Sequence, residues 1–231
     1  NGFTILKDGN TITDQSTNSN NWTLGGGTLT NTEDCPDDVF NNFMSHTTNS
    51  YLTLSNGGLT LTGNTATDSG SSISNLGMTT GKYYFEFEYD NIVSGYSNVG
   101  VADTTDVEFG HQNLAGGAGD TSPKGYGFSG GGQMFNGSWN SAWTSFSNGD
   151  IVGMAFDMTN GAWYAHKNGT YYTSGDPTSG ATKTGAIGTW TADGRTYVPF
   201  GNGYNGSITK YNFGNGYFGT SAIASEGTNA S

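Results

Sequence analysis

The chain has 231 residues, 39 of them Gly and only 4 Pro, and its 7 Lys and Arg face 19 Asp and Glu for a formal net charge of −12. That charge repels a polyanion, so nucleic acid is not an expected partner. The single cysteine, Cys35, rules out an intramolecular disulfide and a cysteine-built zinc site, and no apolar run approaches the ~20 residues of a membrane helix, so no membrane insertion is expected.

Residues 1–33 are polar and rich in Gly, Asn and Thr, broken by Phe3-Thr4-Ile5-Leu6 and Trp22-Thr23-Leu24. They read as an arm that adds an edge strand to a neighbour or packs on one, with Phe3, Ile5, Leu6 and Trp22 as its assembly contacts. Tyr51–Leu54 and Leu59–Leu61 alternate around Asn56-Gly57-Gly58, a hairpin signal. In Lys82–Tyr89, Tyr83, Phe85, Phe87 and Tyr89 share one face, expected to be core, and Tyr84, Glu86 and Glu88 share the other, expected to be a solvent-facing edge. Asn98–Ala102 is a short apolar strand. Asp103 to Pro123 is a long loop without period, a kind of segment that is usually functional or mobile. Lys124–Phe128 is a glycine-rich strand. Gly130 to Asn148 is a further hairpin or loop carrying Phe135, Trp139, Trp143 and Phe146.

Gly149–Gly169, GDIVGMAFDMTNGAWYAHKNG, is the most informative stretch. Val152, Met154 and Phe156 lie two apart, as do Trp163 and Ala165, and Asn160-Gly161 and Asn168-Gly169 mark two reversals. Asn-Gly most readily takes positive φ at both centres of a hairpin turn. Tyr171-Tyr172 then opens a loop that runs through Gly194 and contains Trp190. Tyr197–Phe200 and Ser207–Gly214 close the sheet, and 215–231 read as a tail. No segment shows helical periodicity, so the expected class is all-β.

Six pieces in order carry a resemblance: Gly81–Glu86, Val99–Ala102, Gly125–Phe128, Gly149–Asp157, Tyr164 with Lys167–Gly169, and Tyr211–Gly214. The series is similar to the SPRY domain over residues 80–214, within a domain spanning 34–214. The resemblance implies two curved, packed antiparallel sheets with ligand-facing loops at one end, and neither catalytic residues nor a cofactor. The lead-in Asp34–Phe43, DCPDDVFNNF, resembles that of SPRY proteins from tailed, especially aquatic, phages, although Met44-Ser45-His46 follows where those continue with Leu-Asn-Pro.

The residues favour binding over chemistry. His46, His111 and His166 are far apart, without metal-ligand spacing. Asp34, Asp37 and Asp38, and Asp103, Asp106 and Glu108, lack the full calcium-loop spacing and read as solvated turn carboxylates. The glycine runs at 116–119 and 130–132 precede no helix, no nucleophile elbow surrounds Ser141, Ser145 or Ser147, and a glycosidase pair has no support beyond Glu86 and Glu88. Aromatics outside the strands could stack on a sugar or anchor a protein. The candidate ligand-binding residues are His111, Phe135, Trp139, Trp143, Tyr171, Tyr172 and Trp190, in loops at 103–122, 130–147 and 173–195. The expected role is a non-enzymatic phage protein on the virion surface, a capsid decoration or tail appendage. Its partners would be other virion proteins or copies of itself, and a host-surface glycan or protein. The alternative is a secreted, extracellular carbohydrate- or protein-binding module of a larger protein.

Overall fold

The computed structural model describes residues 2–5, 13–26, 40–48, 50–64, 66, 69–93, 97–104, 125–136, 139–219 and 221–222. They form sixteen strands: β1 (Leu52–Ser55), β2 (Thr60–Gly63), β3 (Gly70–Ile73), β4 (Lys82–Asn91), β5 (Asn98–Asp103), β6 (Gly125–Ser129), β7 (Gln133–Asn136), β8 (Trp139–Ala142), β9 (Asp150–Asp157), β10 (Ala162–Lys167), β11 (Thr170–Tyr171), β12 (Gly188–Thr189), β13 (Tyr197–Gly203), β14 (Ile208–Asn212), β15 (Tyr217–Phe218) and β16 (Ser221–Ala222). The first sheet runs β1-β2-β14-β4-β9-β10-β11, with β12 also paired to β10; the second runs β3-β13-β5-β6-β7-β8. Among the described residues no helix is long and apolar enough to cross a membrane.

Register explains the core. β4 and β9 pair with Phe85 opposite Met154 and Phe87 opposite Val152. β10 continues the rows with Trp163 opposite Phe156 and Ala165 opposite Met154, and Tyr211 of β14 lies opposite Phe87. Side chains alternate between faces, so these pairings stack the large residues of four strands on one side. The second sheet answers with Val99, Val101, Tyr126, Phe128, Met134 and Tyr197, buried in the same cluster. The rule fails for Tyr83. It lies on the core side of β4 but at the strand's exposed start, and it is 38% exposed.

The end of the Asp34–Phe43 lead-in closes one side of the sandwich. Phe43 bridges Ser74 and sets its ring against Tyr211, 4.6 Å away and edge-on. Asn41 binds the Ser74 hydroxyl and the Leu76 amide through its side chain, and the Asn42 amide donates to the Asn75 side chain. Asn41-Asn42-Phe43 therefore acts as a structural plug; Asp34–Val39 lie outside the described residues.

The two Asn-Gly turns differ. Asn168 and Gly169 both take positive φ, 49° and 82°, as a two-residue hairpin turn requires. At the other, only Gly161 does. Its amide reaches back to the Asp157 carbonyl, and the Asp157 carboxylate accepts from the Asn160 amide and side chain, so a longer turn replaces the expected tight one. The stretch expected to be tail begins with the β15–β16 hairpin, whose Phe218 is buried.

The arm is held by one carboxylate. Asp14 accepts from the amides of Thr4, Ser16 and Asn20 and from the Ser16 hydroxyl. The Gln15 amide donates to the Thr4 carbonyl. No described residue of the arm lies in a strand. The rings of Phe3 and Trp22 meet edge-on at 5.0 Å. Both are about half exposed, as is Leu24, while Ile5 is half-buried. Leu6 lies outside the described residues.

Candidate binding site at the open edge of the sandwich

Where β10–β12 face β6–β8, an aromatic column fills the gap between the sheets. Trp190 stacks on Tyr126 at 4.7 Å. Tyr126 meets Trp163 at 6.1 Å and Trp163 meets Phe128 at 5.4 Å. Phe128 touches Tyr172 at 6.1 Å, and Tyr172 touches Trp143 at 6.3 Å. The column is buried at its centre and surfaces at its ends, where Trp190 is half-buried and Trp143 is 37% exposed. Offset and edge-on pairs of this kind contribute about 0.5–1.5 kcal/mol each beyond their burial. Trp143 is also tied by its backbone, its amide donating to the Gly132 carbonyl, and the Tyr172 hydroxyl donates to Thr144 Oγ1 at 3.4 Å.

At the Trp190 end the polar groups are paired. Arg195 donates from Nη1 to Asp103 and from Nε to Asp193, both at 2.6 Å. Asp103 and then Asp193 push the guanidinium well above its ordinary range. Burial, then the neighbouring Tyr197, raises the Tyr126 phenol. Asp103 is thus not the solvated turn carboxylate expected from the sequence. Its side chain is fully buried and neutralised by a residue 92 positions away. Asp106 and Glu108 of that group, like Asp37 and Asp38 of the other, lie outside the described residues.

The outer face of the first sheet carries a second cluster. Asn212, Glu86, Gly153, His166 and Tyr171 form one cross-strand row over β14, β4, β9, β10 and β11. Glu86, expected to face solvent, is 3% exposed. It accepts from the Tyr84 hydroxyl at 2.6 Å and from Asn212 Nδ2 at 3.3 Å. His166 Nε2 lies 2.6 Å from the same hydroxyl. The His166 ring stacks on Tyr84 and meets Tyr171 edge-on at 5.1 Å. Desolvation, then Glu86, pushes the Tyr171 phenol up to about 12. Alternation was right that Glu86 points away from the core; that this face is covered is a tertiary fact.

The structure brings together three of the expected ligand-binding residues, Trp143, Tyr172 and Trp190, on one aromatic column. Tyr171 sits apart on the outer face with His166. Phe135 is buried, on the face of β7 opposite Met134 and paired with Gly127, so its ring packs the scaffold and is not presented to a ligand. Trp139 opens β8, so its stretch is a strand of the second sheet and not a loop. His111, with the rest of residues 105–124, lies outside the described residues. The Arg195–Asp103 pair was missed, because nothing local links the two positions.

No protein-family model matches the sequence, and no curated protein is significantly similar to it. Solved structures are similar to it in shape. The SPRY domain of human HERC1 superposes with a TM-score of 0.55 at 18% identity, over 74% of this chain and 96% of that one. A human SPRY domain gives 0.51 at 17% identity, over 71% and 96%, and the TRIM65 PSpry domain 0.51 at 11%, over 75% and 89%. At such identities the likeness is one of fold. With two packed antiparallel sheets and these neighbours, the chain has the SPRY-like β-sandwich fold expected from its six sequence pieces.

Proposed function

We propose that this chain is a non-enzymatic binding protein of a tailed-phage virion surface, carried as a capsid decoration or tail appendage. Its N-terminal arm docks on another virion protein or a further copy of the chain, and the sandwich is the presented module. The observation that supports this reading best is the arm's construction: Asp14 folds it on itself, and the fold leaves Phe3, Trp22 and Leu24 on the surface. Large exposed rings held by a preformed turn lose little conformational freedom on docking, which is what a binding anchor requires. The resemblance of the Asp34–Phe43 lead-in to phage SPRY proteins points to the virion, and the acidic charge points away from nucleic acid.

Deleting residues 1–33 should abolish incorporation into particles, read by immunogold electron microscopy of purified virions, while the sandwich keeps its cooperative melting. Equal labelling of particles carrying the truncated chain would end the arm reading. A second reading, a secreted module that binds carbohydrate through the sandwich, draws on Trp143, exposed beside Tyr172 at the end of the column. A glycan array separates the two: binding lost on Trp143→Ala favours the module, and silence leaves the virion role.

A further inference from the structure

We propose that His166 is an acid-released latch on the β10–β11 hairpin, holding Tyr171 and Tyr172 in place only while its ring is neutral. The direction of each hydrogen bond carries the inference. The Gly169 amide donates to His166 Nδ1 at 3.2 Å, so Nδ1 must be the unprotonated nitrogen of the ring. The proton of the neutral ring is then on Nε2, which donates to the Tyr84 oxygen, and the Tyr84 hydroxyl donates onward to Glu86. Every donor in this chain has one acceptor, and the ring has no free site for a second proton.

A proton added to the ring must therefore go to Nδ1, where it meets the Gly169 N–H. Two donors face each other, and one must leave. The Gly169 amide is the movable partner. It belongs to a two-residue turn, and the β11 strand beyond it, Thr170–Tyr171, is held to β10 by only the pairs His166–Tyr171 and Lys167–Thr170. Releasing it frees Tyr171 from the face of His166, and Tyr172, next in the chain, from Phe128 and Trp143. The outer-face row and the exposed end of the aromatic column are thereby coupled.

The surroundings decide how readily the proton is taken. Among the described residues, the titratable groups on the ring's side of the sheet are Tyr84 and Glu86 from β4, Tyr171 from β11 and Tyr164, two residues away on β10 itself. β9 presents only Gly153, whose missing side chain makes room for the ring and for the Tyr84 hydroxyl. Lys167 and Asp150 pair with each other, and the lysine lies over Phe146 on the core side. Burial holds the imidazole below its ordinary value, and Glu86 pulls the other way. A histidine that is neutral when folded loses stability as pH falls below the unfolded value of about 6.5, toward its lower folded value. The latch is closed at neutral pH and opens in acid.

Nuclear magnetic resonance on the full chain tests this. At pH 7.5 the His166 ring should show the Nε2–H tautomer, and on acidification the protection of the Gly169 amide should fall by up to about tenfold per pH unit between about 6.5 and the ring's own lower titration, levelling off below it. His166→Asn, whose side-chain oxygen can still accept from Gly169 but takes no proton, should show no such fall. Glu86→Gln should move its onset to lower pH. An Nδ1–H tautomer at neutral pH would overturn the proposal. So would protection that ignores the ring's titration, an equal fall in His166→Asn, or, if that variant does not fold, an onset in Glu86→Gln that moves upward.

Discussion

Trp163 and Trp22 are the same residue in opposite settings. Trp163 is fully buried, stacked on Phe156 at 5.9 Å and walled by Tyr126 and Phe128 from the facing sheet. Trp22 is 53% exposed and, among the described residues, has one ring neighbour, Phe3, in a turn built around Asp14. The first is placed by strand period and cross-strand register, which commit it to the sheet interface. The second is placed by a handful of hydrogen bonds that leave its surface unspent. A ring that stabilises the fold and a ring that is free to bind therefore differ in what fixes them, not in their chemistry.

The sharpest test is to remove the buried ring. Trp163→Ala should destabilise the sandwich by about 3–5 kcal/mol, the usual range for emptying a core aromatic site. Chemical denaturation would measure it, and a loss near zero would mean that the column is not the core it is taken for. Next in size is the outer face. A Cβ on Gly153 would land on the His166 ring and come within 2.5 Å of the Tyr84 hydroxyl. Gly153→Ala should cost about 1–3 kcal/mol by overpacking, and it should shift the His166 ring resonances first. A stability unchanged from wild type would show that this face has slack.

These two sites differ in how far they could be read in advance. Trp163 was legible because Phe156, Trp163 and their neighbours repeat every second residue between turn signals. Glu86 alternates just as regularly, yet period alone says only which side of β4 it leaves by. What covers that side comes from residues as distant as Asn212 and His166. Strand β3 was missed for a related reason. Its Ser71 and Ser72 are buried polar residues, and Ser72 is accommodated by the hydroxyl of Thr48, 24 positions earlier. Burial of a serine depends on a partner that local pattern does not reveal. Of the candidate site, the aromatics in the later loops were legible by type, but not which would end inside: Phe135 was not separable from Trp143.

Arg195 tests the same point between distant partners. Arg195→Ala leaves the Asp103 carboxylate buried without its cation, a change that destabilises because a buried charge loses its compensation. The melting temperature should drop by a few degrees, and Arg195→Lys should restore part of it, since one donor can still reach. An unchanged melting temperature would place the pair among surface bridges that contribute nothing measurable.

The smallest expected effect is the one that most sharpens the contrast. Trp22→Ala should change the stability of the sandwich by no more than about 0.5 kcal/mol, as for a surface substitution, while weakening the docking proposed for the arm. A clear loss of stability would mean that the arm packs on the sandwich, and the distinction between spent and unspent rings would fail. Asp14 supplies an independent control. Hydrogen bonds from the Thr4 amide, and then from Ser16 and Asn20, outweigh burial and hold its carboxyl well below the ordinary carboxylate range. A carboxyl depressed in the folded state contributes above its unfolded value of about 3.9 and is lost only as pH falls through the folded value. The arm should thus keep its turn at pH 4, seen as unchanged Trp22 fluorescence anisotropy against a Trp22→Ala blank. Asp14→Ala should loosen it at any pH above that folded value and leave the sandwich melting where it did. If the variant instead lowers that melting point, the carboxylate serves the sandwich as well as the arm, and Trp22 must be counted with Trp163.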